Sequence, residues 1–210
     1  MSKSKKNGKE VVRAGAYATP ADFKHIFTED INSLYLLSLL LTGTPEKAEK
    51  CFVESVEEST RAKHVFKEWA RSWARRTIIK RAIRLIIPRE RTVSDTRTVD
   101  FARAEDKVPK DLHAEVCAIL GLASLERFVF VMSVLERYSD HDCSILLGLA
   151  RRDIGPLRVR AMQQLGTLLG IEHDNQAYGW ENSAAFENTD FGLLITQRFG
   201  SPAWNRGVSQ

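Results

Sequence analysis

A chain of 210 residues that is 43% hydrophobic and 28% charged holds enough apolar side chains for one moderate core or two small ones, which excludes an intrinsically disordered protein. Its net charge is only +4, yet eleven Lys and Arg fall between positions 61 and 91 against two acids, Glu68 and Glu90. Such a concentration points to an anionic partner, nucleic acid in the first instance.

Cys51, Cys117 and Cys143 are far apart, and the five histidines show no CxxC or HExxH spacing, so neither a disulfide framework nor a zinc site is expected. The longest apolar run, residues 34–41, is interrupted by Ser38 and is much shorter than a bilayer span. The basic start leads into polar and small residues instead of an apolar stretch, so the expected location is cytoplasmic.

In chain order, residues 1–18 read as a flexible basic tail. Thr19-Pro20-Ala21-Asp22 then supplies an N-cap, a first-turn proline and an acid at the third helical position. The spacing of Phe23, Ile26, Phe27, Ile31, Leu34, Tyr35, Leu37 and Leu41 predicts a helix that runs to Thr42-Gly43. Thr44-Pro45-Glu46 opens a second, acidic helix with Ala48, Cys51 or Phe52, and Val56 on its apolar side. Residues 62–87 read as one long helix stopped by Pro88.

Residues 89–109, bounded by Pro88 and Pro109 and rich in charge, Ser and Thr, read as a linker. Beyond it, within residues 110–169, come a helix over 112–120, another over 125–138 capped by Ser124, and a short helix opened by Ser139-Asp140-His141-Asp142 and ended by Gly148. The last is a basic helix over 150–169. Ile145, Leu146 and Leu147 are expected to face inward, and His141 and Cys143 to serve as cap and core. Residues 170–210 suggest no fold. The expected architecture is all-α, with two small helical domains, 19–88 and 110–169, on either side of the linker.

Two constellations stand out. Trp69, Trp73, Arg76, Lys80 and Arg84 recur at helical steps and share one stripe, with Arg71, Arg75 and Arg81 beside it. The stripe suits single-stranded nucleic acid, because indoles stack on bases and cations meet phosphates; the two indoles as core residues are the other reading. The segment 139–165 has helix-turn-helix grammar, with Arg151, Arg152, Arg158 and Arg160 available to DNA, or it is an ordinary helical hairpin. No Gly-rich phosphate loop or GxSxG is present, and no Cys/His or carboxylate pair is better explained by chemistry than by a helix surface, so no enzymatic activity, cofactor or metal is expected.

These residues carry a resemblance. LYLLSLLLTGTPEKAEKCFVESVEES followed by VFKEWARSWARRTIIKRAI resembles region 2 of extracytoplasmic-function factors of the sigma-70 family. LERFVFVMSVLERYSDHDCSILLGLARRDIGPLRVRAMQQL resembles their region 4. The likeness spans roughly residues 23–165 and implies a sigma factor acting in transcription initiation with no cofactor.

It further implies that Glu49, Lys50, Val53 and Glu54 dock on core RNA polymerase. Trp69, Arg71, Trp73, Arg75, Arg76, Lys80, Arg81 and Arg84 would hold promoter DNA at the −10 element, and Arg151, Arg152, Arg158 and Arg160 would read the −35 element. An anti-sigma factor is a further partner of such proteins. The chain departs from the family at Lys50-Cys51-Phe52-Val53-Glu54, where an Asp-Leu-Val-Gln-Glu type sequence is usual, and at Gly155-Pro156 in the recognition helix. Two other readings follow: a degenerate sigma-fold regulator that binds a protein partner, and a helix-turn-helix regulator that binds duplex DNA without polymerase.

Overall fold

The computed structural model describes residues 16–90 and 112–170. The tail up to residue 15, the linker over 91–111 and the C-terminal stretch over 171–210 lie outside the described residues. What is described is helical, as the periodicity predicts, and its one β feature is an isolated antiparallel bridge between Tyr17 and Phe66.

Helix α1 (Pro20–Glu29) opens with the capping box read from the sequence: the Asp22 amide donates to Thr19 Oγ1 at 3.2 Å, and the Thr19 amide donates to Asp22 Oδ2 at 2.7 Å. The expected single helix over residues 20–42 is divided at Asp30, which ends α1 and begins α2 (Ile31–Thr42). Neither glycine nor proline causes the break. Asp30 has left helical geometry (φ −97°, ψ 19°), and its carboxylate pairs with Arg71, which comes from a later helix.

Helix α2 is apolar almost all round, so it takes the centre of the bundle, with Leu34, Leu37, Leu39, Leu40 and Leu41 all buried. Its buried hydroxyls return to their own helix: Ser38 Oγ donates to the Leu34 carbonyl at 3.0 Å, and Thr42 Oγ1 to the Ser38 carbonyl at 2.7 Å. Gly43 (φ +83°) closes it in the left-handed conformation.

Helix α3 (Pro45–Thr60) is capped by Thr44 and buries Ala48 and Cys51 against α2 and α4. The long helix expected from residue 62 starts later. Residues 61–66 are not helical, Lys67–Trp69 form a 3-10 turn, and α4 runs Ala70–Glu90. The segment before Thr19 accounts for the delay: the Ala18 amide donates to the Val65 carbonyl at 2.7 Å and the Lys67 amide to the Ala16 carbonyl at 2.9 Å, pairings that hold this stretch extended. At its other end α4 continues through Pro88, which removes one ladder bond in the last turn without ending the helix.

The second group comprises α5 (His113–Leu120), α6 (Ser124–Phe130), α7 (Asp140–Leu147) and α8 (Arg151–Leu168). Ala123, not Ser124, occupies the N-cap of α6, and the helix widens into a π turn over Val131–Leu135. Phe128, Phe130, Val131, Met132, Ile154, Met162 and Leu165 form its core. The two helical groups pack on each other, α2 against α5 and α6, and α4 against α6 and α7.

Candidate nucleic-acid interface

The aromatic stripe lies on the surface. Trp69 is 59% exposed, Trp73 40% and Phe66 38%, which rules out the core reading of the two indoles. Trp69 sits in the 3-10 turn before α4, while Trp73 is one turn into the helix. A ladder of rings extends from them: Phe66 meets Trp69 edge-on at 5.2 Å, Tyr17 tilts against Phe66 at 4.9 Å, and His64 meets Tyr17 edge-on at 5.5 Å. Lys80 Nζ stands 6.0 Å from the Trp73 ring. Phe66 was visible in the sequence as an aromatic three residues before Trp69. Tyr17 and His64 were not, because the Tyr17–Phe66 bridge that gathers them joins positions far apart in the chain.

The basic residues beside this ladder fall into four groups. Arg71 donates to Glu29 Oε2 at 2.6 Å and pairs with Asp30, so it fastens α4 to the α1–α2 junction; the hydrogen bond to Asp30, with the charge of that carboxylate, holds the Arg71 pKa above its ordinary value. Arg81 donates to Glu58 at 2.7 Å and stands 3.5 Å from Glu54, and Arg84 stands 3.5 Å from Glu58, so both turn toward α3. Arg75 is held by Glu136 and Ser33. Arg76 and Lys80 make no ion pair among the described residues; Lys80 stands over Trp73, and Arg76 lies three residues after Trp73 on the same helix.

On α3, Glu49, Lys50 and Val53 lie on the exposed face, with Val53 55% exposed, whereas Glu54 is drawn toward Arg81. The four residues expected to act together on a protein partner are thus three on an open face and one tied to α4.

The segment read as helix-turn-helix or as an ordinary hairpin consists of two helices joined by a short turn. Ser139 caps α7 by accepting from the Asp142 amide at 3.1 Å, Gly148 (φ +67°) closes it, and α8 begins at Arg151 after a two-residue turn. Cys143 and Leu147 face the core, but Ile145 is 62% exposed, contrary to the expected inward stripe. His141 is exposed.

Arg151 and Arg152 project from the first turn of α8; the Arg152 side chain is 89% exposed, with Asp153 at 3.9 Å. Arg158 is turned inward and donates to Asp140 at 2.6 Å, joining α8 to α7. Arg160 is exposed, 3.7 Å from Glu126. Gly155 is buried, Pro156 faces solvent, and the helix is continuous through both.

Among the described residues no group of three or more His, Cys, Asp or Glu is arranged to hold a metal ion, and no helix is long and apolar enough to cross a membrane. No family model, no curated protein and no solved structure matches the chain.

Proposed function

We propose that this chain is a sigma-type transcription initiation factor, whose aromatic and basic face at the start of α4 holds a melted promoter strand and whose α7–α8 hairpin meets duplex DNA. The observation that carries the reading is the exposure of Trp69 and Trp73 next to Arg76 and Lys80. Solvent-facing indoles cost burial that a core would have recovered, and a strand with unstacked bases recovers it.

The hairpin supports the same reading through its electrostatics. Arg151 and Arg152 stand at the N-terminus of α8, where the helix dipole disfavours cations and favours anions, so a phosphate there gains from both the dipole and the guanidinium groups. Arg158 belongs to the packing of the hairpin, which leaves Arg151, Arg152 and Arg160 for DNA. On α3, Val53 with Glu49 and Lys50 forms the face offered to core RNA polymerase.

The test is co-purification with bacterial core polymerase followed by run-off transcription from genomic DNA, with Val53→Asp as control. Val53 is exposed, so the variant keeps its fold and is expected to lose both co-elution and transcripts. Specific binding to duplex DNA without polymerase would instead favour the stand-alone helix-turn-helix regulator, which the Gly148 turn and the exposed Arg151 and Arg152 also fit. Absence of core binding together with absence of DNA binding would overturn both.

A further inference from the structure

Arg75 stands one residue before Arg76 on the basic helix, yet all three nitrogens of its guanidinium are already engaged. Nε donates to Glu136 Oε2 at 2.7 Å, Nη2 donates to Glu136 Oε1, and Nη1 donates to Ser33 Oγ at 3.0 Å. Each nitrogen thus donates once, which leaves one N–H on Nη1 and one on Nη2, while the carboxylate of Glu136 neutralises the charge a phosphate would meet. The Glu136 side chain is only 8% exposed and that of Arg75 19%. Burial pulls the Arg75 pKa down, but the hydrogen bonds and charge of Glu136 more than reverse this and hold it above its ordinary value.

The backbone that delivers Glu136 departs from regular helix. The π turn over Val131–Leu135 immediately precedes it, the Glu136 amide donates to the Val131 carbonyl at 2.9 Å, and Arg137 adopts φ +56°, a left-handed conformation that arginine rarely takes. A second charged contact lies across the same junction. Arg127, buried in α6, donates to the Leu120 and Leu122 carbonyls at 3.3 Å and lies against Gly43 at the C-terminal, negative end of α2. Buried ion pairs rarely stabilise more than apolar side chains of the same size, and losing one partner leaves a costly unpaired charge; their best attested use is to specify one arrangement over another.

From these observations we infer that the junction between the two helical groups is a charge-latched closed state, in which Glu136 withholds Arg75 from nucleic acid until the groups separate. The inference rests on the nucleic-acid reading of the α4 face. Opening frees the full charge and the Nε–Nη2 edge of Arg75, because Glu136, carried by the end of the α6 and π-turn segment, then withdraws from α4. Arg76 and Lys80 hold a strand in the closed state, and Arg75 adds to them in the open one.

The test compares the full chain with Glu136→Gln, an isosteric change that removes the charge, and with the swapped pair Arg75→Glu with Glu136→Arg. Opening is read by solution scattering and by amide exchange over residues 131–138, and binding by titration of fluorescent single-stranded DNA over a range of salt. Glu136→Gln is expected to expand the molecule, speed exchange, and tighten DNA several-fold. Its log–log salt slope should steepen by about 0.7, the share of one added phosphate contact on a single strand. The swapped pair is expected to restore closure.

Unchanged scattering and exchange in Glu136→Gln would overturn the latch, and opening without any gain in affinity over a wild type that binds would overturn the withholding of Arg75. Opening with no DNA bound by either protein would keep the latch and overturn the proposed function instead.

Discussion

Single side chains separate the parts of this protein that hold it together from those left to meet a partner. Trp69 and Trp73 are exposed, so replacing either by Ala should change unfolding free energy by less than about 0.5 kcal/mol, in the range of ordinary surface substitutions. Affinity for single-stranded DNA should fall by about 1–3 kcal/mol for each stacked base lost. Parallel denaturation and binding titrations check this, and equal losses in both would assign the indoles to packing.

Cys51 lies at the opposite extreme. Burial pushes its thiol up to about 12 from an ordinary 9.0, with Glu54 adding to the rise. A folded-state pKa above the unfolded one means that the native protein keeps a proton which the unfolded chain gives up. The contribution of Cys51 is therefore complete below pH 9 and is lost between pH 9 and 12, at about 1.4 kcal/mol per pH unit. Denaturation curves at pH 8, 9.5 and 10.5 should show this decline, and Cys51→Ala should flatten it.

At the scale of the element, what the sequence foretold and what it hid divide by range. Caps act over three or four residues, so Thr19-Pro20, Thr44-Pro45, Ser139 and the glycines at 43 and 148 marked their helix ends correctly. The break at Asp30 depends on Arg71, and the delayed start of α4 depends on Ala16 and Ala18, partners far away in the chain that leave no local pattern. For the same reason, the basic stripe was legible as composition and spacing but its division among Glu29, Glu58 and Glu136 was not.

Prolines misled in the other direction. Pro88 and Pro156 both lie inside helices, and at Pro156 losing one backbone bond is tolerable because packing fixes the helix. Ile154 and Leu157 bury on either side of Pro156. Pro156→Ala would return an amide to the α8 ladder and relieve the ring's crowding of the Arg152 carbonyl. It should stabilise the protein by up to about 3 kcal/mol in chemical denaturation, the difference in helix propensity between the two residues. A destabilised variant would show that α8 relies on the proline ring.

Across the whole molecule, one helix sets the degree of cooperation. Because α2 is buried nearly all round, it serves α3 and α4 on one side and α5 and α6 on the other, and the two helical groups cannot be loosened at their junction without exposing it. Gly43, at its end, lies against Arg127 of the second group. The glycine has φ +83°, and a Cβ there would lie 2.9 Å from Arg127 Nη2. The guanidinium has little room to yield, since it is buried and bonded to the Leu120 and Leu122 carbonyls.

Gly43→Ala should thus cost about 1–3 kcal/mol from left-handed strain, with the crowding of Arg127 added. Its effect should spread to both sides of the junction. Hydrogen exchange should accelerate in α6 as well as in α2, and thermal unfolding should remain a single transition at a lower temperature. Faster exchange confined to residues 31–60 would show instead that the second group holds its structure independently of the first, and that the junction joins two bodies each stable by itself.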